Sequence, residues 1–427
     1  MAREGQEEMS KLEKLLAELC PNGVEYKTLA GPDGLGEFFS GLTGKSKEDF
    51  RDGNAKFISY MNVFSNPALD INALDRVKIV QGETQNTLEY RDIIFTGSSE
   101  TPDECGMSSV VTQKPTEKLY LNSFCFGFRL HNPELFNPDY LKHFFRSDAM
   151  RKQIARTANG VTRFNVSKVK MAQLEIPVPP LEVQEEIVRI LDAFTELTAE
   201  LTAELRARQQ QYEWYQKTLF SSSAKAKKCT LDDVCTLVTD GSHFSPPSSA
   251  SGYCMPSVKD MRENGFDYSE CKVVSKEDYE ALVRNGCRPE KGDVLIAKDG
   301  ALMLKHAFPF DGKREVVILS SIALLRPDQN KVLPRFLSHY FRRHDFKEDV
   351  IQKYATRGGV PRIILKNFKK VELLIPPIAE QKRIVAILDR FDSLVNSISE
   401  GLPAEIEARR KQYEFYRDKL LSFKKMA

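Results

Sequence analysis

One pattern occurs twice in this chain. IPVPPLEVQEEIVRILDAF begins at Ile176, and LLIPPIAEQKRIVAILDRF begins at Leu373. Neither proline of each pair can donate a backbone hydrogen bond, and each disfavours helix in the residue before it. The step therefore ends a strand and releases the chain into a helix, at Leu181 and again at Ile378. In the first copy Glu182, Glu185 and Glu186 fall in the opening turns, where a helix favours negative charge. A rigid exit from a globular part into a helix is thus specified twice.

The repeat reaches well beyond the proline step. YLKHFFRS (140–147) matches FLSHYFRR (336–343), and RDIIFTGS (91–98) stands where GDVLIAKD (292–299) stands. TANGVTRFNVSKVK matches TRGGVPRIILKNFKK, and QQQYEWYQKTLF (209–220) matches RKQYEFYRDKLL (410–421). A period of about two hundred residues marks duplicated domains rather than a solenoid. A duplicated unit commonly folds with approximate two-fold symmetry, as a homodimer does. The chain divides into an N-terminal helix (1–20), a globular part (21–178), a helical region (179–222), a second globular part (223–375) and a second helical region (376–427). The fold class is α+β. Short runs such as AKFISYMNVF, LNSFCFGFRL and VVILSSIALL read as strands between Gly, Asn, Pro and Ser turns.

The helical regions have a period of their own. Ile187, Leu191, Phe194, Leu201 and Leu205 belong to steps of four and three that run to Leu219, a heptad seam about 50 Å long. The second copy runs through Ile384, Leu388, Phe391, Val395 and Ile398, but carries four extra residues before its Gln-Tyr-Glu motif. Such an insertion is a stutter, and Gly401 and Pro403 fall at it, so a kink or break is expected there.

Hydrophobic residues at 41% give an ordinary soluble composition. No apolar run approaches the roughly 18 residues that span a bilayer, and the charged N-terminus does not resemble a signal peptide. The chain reads as cytoplasmic, without a membrane partner. None of its eight cysteines forms a C-x-x-C pair, so reduced thiols and no metal are expected. A net charge of +2 argues against a general polyanion binder. Its distribution is more telling: residues 140–170 hold eight Lys and Arg against one acid, and 331–370 hold eleven against three. Two basic blocks at equivalent places suggest paired polyanion contacts.

Catalytic motifs are missing. SGLTGKS (40–46) has Phe39 where a phosphate loop needs glycine, because the intervening amides must wrap the phosphates. Asn-Pro-Asp-Tyr (137–140) lacks the second proline of the amino-methylating motif, and a helix cap at Asn137 explains it better. No nucleophile elbow or zinc-protease spacing occurs.

The residues P-P-x-x-x-Q-x-x-I-V-x-I-L-D-x-F, at Pro179–Phe194 and Pro376–Phe391, followed by Q-Y-E-x-Y at 211–215 and 412–416, resemble the specificity subunits of type I restriction-modification enzymes. The likeness covers essentially the whole chain. It implies that each globular part is a target-recognition domain for one half of a bipartite, asymmetric site in double-stranded DNA. The two long helices would pair as an antiparallel coiled coil that sets the unread spacer. The chain would have no catalysis and bind no cofactor. It would recruit two methyltransferase subunits using S-adenosylmethionine and two motor-nuclease subunits using ATP and Mg²⁺. On this reading Arg156, Arg163, Lys168, Arg357, Arg362 and Lys366 are assigned to DNA phosphates, which supply affinity and register. Base edges fall to loop residues that differ between the halves: Tyr60, Asn62, Thr96 and Ser98 in the first, and Lys259, Asp260, Lys298 and Asp299 in the second. Lys can donate to guanine, Asn can pair with adenine and Asp can accept from cytosine. The alternatives are a restriction-methylation enzyme with its own catalysis, and a coiled-coil scaffold that does not bind DNA.

Overall fold

The computed structural model describes residues 2–72, 75–221, 225–356, 361–396 and 401–426. The chain forms two compact units, Met1–Leu201 with Ile406–Ala427, and Thr202–Glu405. These units cut through the helical regions, whereas the sequence suggested boundaries at their ends. The last part of the chain completes the first unit.

The first unit is built on a four-stranded antiparallel sheet in the order Gly36–Ser40, Cys125–Leu130, Ile93–Thr96, Ser108–Val110. Side chains alternate across a strand. Ile93 and Phe95 join a core with Phe128, Tyr140 and Phe145, while Ile94 joins a smaller one with Ile58, Leu119 and Leu121. Both faces are covered, which is why Ile-Ile-Phe is apolar without interruption. Gly127 lies against the Phe39 ring, where a Cβ would come within 2.0 Å of a ring carbon.

The second unit repeats this frame. Its strands Cys235–Asp240, Ile322–Pro327, Val294–Ala297 and Ala307–Pro309 take the same order. Val294 and Ile296 face one core, and Leu295 faces another with Leu324 and Phe308. One ion pair recurs across each sheet. Arg129 donates from Nε and Nη2 to the buried Asp92 at 2.8 and 2.6 Å, and Arg326 does the same to the buried Asp293 at 2.8 and 2.9 Å. Such two-pronged bonds fix geometry as well as charge.

Each globular part is closed by its own ends. Glu25–Thr28 pairs antiparallel with Glu175–Val178, and Lys227–Thr230 pairs likewise with Glu372–Ile375. The two prolines follow, and the helices open at Leu181 and Ile378. The glutamine of the signature then locks the corner. Gln184 is fully buried: its Nε2 donates to the carbonyls of Leu135 and Pro179, and its Oε1 accepts from the Asn137 amide. Gln381 makes the same three bonds with Lys331, Pro376 and Leu333. A second lock lies two turns on. His143 and His339 are buried, and each places Nε2 against the signature aspartate, Asp192 at 2.8 Å and Asp389 at 2.7 Å.

Leu181–Ser221 is one helix of 41 residues. The second copy is two helices, Ile378–Asn396 and Leu402–Leu420. Pro403 sits in the first turn of the latter, where its missing N–H leaves no intrahelical bond unmade. Ile398 lies outside the described residues. In the first unit Ile187 and Leu191 are fully buried with Leu420 and Leu421, and the Phe194 and Tyr416 rings stack at 5.3 Å. In the second, Ile384 and Leu388 are fully buried with Leu219 and Phe220, and Phe391 packs on Tyr215 at 5.0 Å and Tyr212 at 6.1 Å. There the helices run antiparallel: Val395 lies by Gln209 and Tyr212, and Phe391 by Tyr212 and Tyr215. Leu201 and Leu205 are half-buried. The early seam residues share clusters with their own sheets, so the helices pack on the domain as well as on each other. All eight cysteines are free, and among the described residues no helix is long and apolar enough to cross a membrane.

Candidate nucleic-acid interface

The sheet ends expose different residues in the two units. In the first, a cleft gathers Tyr60, Met61, Ser98, Phe124, Thr162 and Arg163. Tyr60 opens the helix Tyr60–Ser65, and its hydroxyl donates to the Ser98 carbonyl at 2.8 Å. Burial raises the pKa of this phenol. Ser98 lies in the short strand Ser98–Ser99, which pairs with Phe164–Val166 and holds the Gly-Val loop beside it. Arg163, exposed on that loop, donates from Nε to Ser98 Oγ at 3.2 Å and covers the Phe124 ring at 5.6 Å. Phe124 and Met61 are more than half exposed. Three residues chosen from the sequence, Tyr60, Ser98 and Arg163, therefore share one cleft.

One other residue proposed for base contacts in this unit is corrected by its surroundings. Thr96 is completely buried and its hydroxyl accepts from the Met107 amide, so it has no route to a base. Asn62 is half-buried and holds the Asp70 backbone, as donor at 2.8 Å and acceptor at 3.2 Å, and also accepts from Asn66, which leaves one N–H of its amide.

In the second unit Asp299 and Arg362 meet in a backbone bridge, the counterpart of the Ser98 pairing. Lys298 is buried, 3.4 Å from Asp240 and 3.3 Å from Asp299, so its charge is taken up inside the domain. Asp260 is also buried and caps a turn by accepting from the amide and hydroxyl of Ser257. Both are corrected as base-reading candidates. Lys259 and Lys366 are exposed, and Asp299 is partly so. His243 and Phe244 project from the loop after Cys235–Asp240, with Phe244 65% exposed. Arg357 lies outside the described residues.

The basic blocks divide into inward and outward charges. Arg146 donates to the carbonyls of Ser108, Val63 and Phe64, and burial pushes its pKa down to about 10. Arg151 serves the carbonyls of Asp103, Cys105 and Gly106. Arg335 and Arg342 both pair with Asp392. Net charge over a block therefore overstated the surface field. Arg156, Arg163, Lys168 and Lys170 remain exposed in the first unit, and Arg362, Lys366 and Lys370 in the second. The Lys168 ammonium lies 5.0 Å over the Phe126 ring, and burial lowers its pKa.

Sequence reasoning missed Phe124, Met61 and Phe244. One signal was available for Phe124. It directly precedes the strand Cys125–Leu130, at the place where the second copy has Ser321 before Ile322–Pro327. A bulky apolar residue against a small polar one marks a divergent position on a shared frame.

Comparison with known proteins agrees with this duplicated architecture. The family model described as the type I restriction modification DNA specificity domain matches residues 33–208 and again 225–408. The specificity subunit of the EcoR124I/EcoR124II type I restriction enzyme of Escherichia coli is 33% identical over 62% of this chain and 65% of its own length. A Haemophilus influenzae protein assigned as a type I restriction enzyme specificity subunit is 35% identical over 62% of this chain and 68% of its own length. A solved structure titled for complex assembly and conformational transition of the type I R-M system has a TM-score of 0.55. It covers 95% of this chain and 96% of that one at 17% identity, a likeness of fold. With both of its repeats matched, the chain belongs to the type I restriction modification DNA specificity family.

Proposed function

We propose that the chain supplies sequence recognition to a type I restriction-modification complex. Each globular part reads one half of a bipartite site in duplex DNA, and the helical regions set the spacer and dock two methyltransferase subunits. One observation carries the reading. A single frame occurs twice, with an exposed arginine, Arg163 or Arg362, beside the end of a central strand, and the residues around it differ between copies. Equal frames suit equal partners, and unequal loops suit unequal half-sites. Exposed cations such as Arg156, Lys168 and Lys366 supply phosphate contacts and register. S-adenosylmethionine, ATP and Mg²⁺ belong on this reading to the methyltransferase and motor-nuclease subunits, two of each. The methylated adenine has to leave the base stack to react, so the recognition subunit must hold the duplex while that happens.

The test is a binding selection on random duplex DNA, using the chain with its methyltransferase partner. Two fixed half-sites around a spacer of constant length are expected, with affinity falling steeply as salt rises. Binding without sequence preference, or insensitive to salt, would overturn the proposal.

A further inference from the structure

Arg163 is fixed at one end and open at the other. Its Nε is moored to Ser98 Oγ, and Ser98 is itself buried, with its carbonyl holding the Tyr60 hydroxyl. Its guanidinium carbon lies over the Phe124 ring, 5.6 Å from the centroid. Among the described residues no partner is found for its two terminal nitrogens. Glu100 and Glu104 also line the cleft, but Glu104 accepts from the hydroxyls of Ser99 and Thr101.

A phosphate contact needs no such mooring, because a long flexible cation can meet a diffuse charge from many directions. Holding the Nε end against a buried side chain, beside an aromatic ring, orients the remaining fork. A guanidinium fork in the major groove matches the O6 and N7 acceptors of guanine, and no other base offers that pair. We infer that Arg163 reads a guanine in one half-site and is not chiefly a phosphate contact. The inference rests on the DNA-recognition reading above. It is confined to the first unit, because the mooring is not duplicated: Asp299 stands in the place of Ser98, and Ser321 in the place of Phe124.

The test uses the full chain with its methyltransferase partner. The wild-type protein should select guanine at one position of one half-site. Arg163→Gln should lose about tenfold or more of the discrimination there, with the other half-site unchanged. Ser98→Ala and Phe124→Ala should weaken the same position to a lesser degree. A control independent of any variant's folding replaces that guanine with 7-deazaguanine, which lacks the N7 acceptor. Wild-type affinity should fall at that position and at no other guanine contacted only through its backbone. A uniform loss across all sequences in Arg163→Gln, with a shallower salt dependence, would make Arg163 a phosphate contact and overturn the inference. So would an unchanged selection profile. A wild-type protein that selects no bipartite site is a separate result, which defeats the underlying reading as well.

Discussion

His143 holds Asp192 through a 2.8 Å contact between its Nε2 and the carboxylate, and thereby ties the helix after Asn137 to the long helix that leaves the domain. His339 and Asp389 do the same in the second unit. The histidine and aspartate therefore form the same joint between domain and helix in both repeats.

This joint makes stability sensitive to acid. Burial pulls both imidazoles below their ordinary value of 6.5, against their carboxylates. Across that region the unfolded chain binds more protons than the folded one, so stability must fall as the pH drops from 7 through about 6. Burial alone would raise Asp192 and Asp389, yet bonds from His143 and Lys142, and from His339 and Arg335, hold them below their usual range. Their contribution is present above the ordinary carboxylate value and is lost at more acid pH. Thermal melts between pH 7.5 and 5 should show the decline, and His143→Gln with His339→Gln should flatten it.

The two joints differ at the second imidazole nitrogen. His143 Nδ1 lies 2.9 Å from the Tyr413 hydroxyl, whereas among the described residues His339 Nδ1, which is buried, has no hydrogen-bond partner, and the equivalent Tyr212 hydroxyl turns to Gln216. Tyr413→Phe leaves a buried acceptor unmet and should cost about 1–3 kcal/mol. Tyr212→Phe breaks no bond to its histidine and should cost less than Tyr413→Phe. Chemical denaturation of the two variants compares them directly.

Gln184 satisfies three backbone groups at the proline corner. Gln184→Ala should destabilise the first unit by about 2–4 kcal/mol. Gln184→Glu should be worse, since it turns an acceptor toward two carbonyl oxygens. Gln381 should respond alike in the second unit. Equal stability of the Ala and Glu variants by calorimetry would contradict the geometry.

Trp214 and Phe415 occupy equivalent places in the two Q-Y-E-x-Y motifs and are 59% and 63% exposed. If the helical regions dock two copies of one partner, Trp214→Ala and Phe415→Ala should each weaken one of two binding events. Native mass spectrometry should then find complexes with one methyltransferase subunit in place of two.

Inserting four helix-forming residues between Leu201 and Leu205 lengthens the long helix by about 6 Å. If the helical regions measure the site, the selected spacer should grow by one or two base pairs, with both half-sites unchanged. Methylation mapping of DNA from cells carrying the variant reads this out.

Much of this architecture was legible in the sequence because punctuation and period are local properties. The proline pairs mark where strands end and helices begin, and the four extra residues mark where the second helix divides. The clamps needed three dimensions. Gln184 and Asp192 stood out as repeated letters, but their partners at Leu135 and His143 lie some fifty residues away. The Asp92–Arg129 and Asp293–Arg326 braces were missed for the same reason. Polar candidates were the least legible: Thr96, Lys298 and Asp260 have the polarity of base-reading residues, but their bonds turn inward. Local sequence does not tell a free side chain from one already occupied by its own fold.

The division of the helices also has a consequence for synthesis. Residues 202–405 form their unit from one uninterrupted stretch, so it can close as soon as that stretch leaves the ribosome. The unit begun earlier needs Tyr413, Tyr416 and Leu420 to finish its core, so the part translated first is completed last. Until then Ile187 and Leu191 lack a portion of their cover, and a chaperone or an early-arriving partner would find them during that interval.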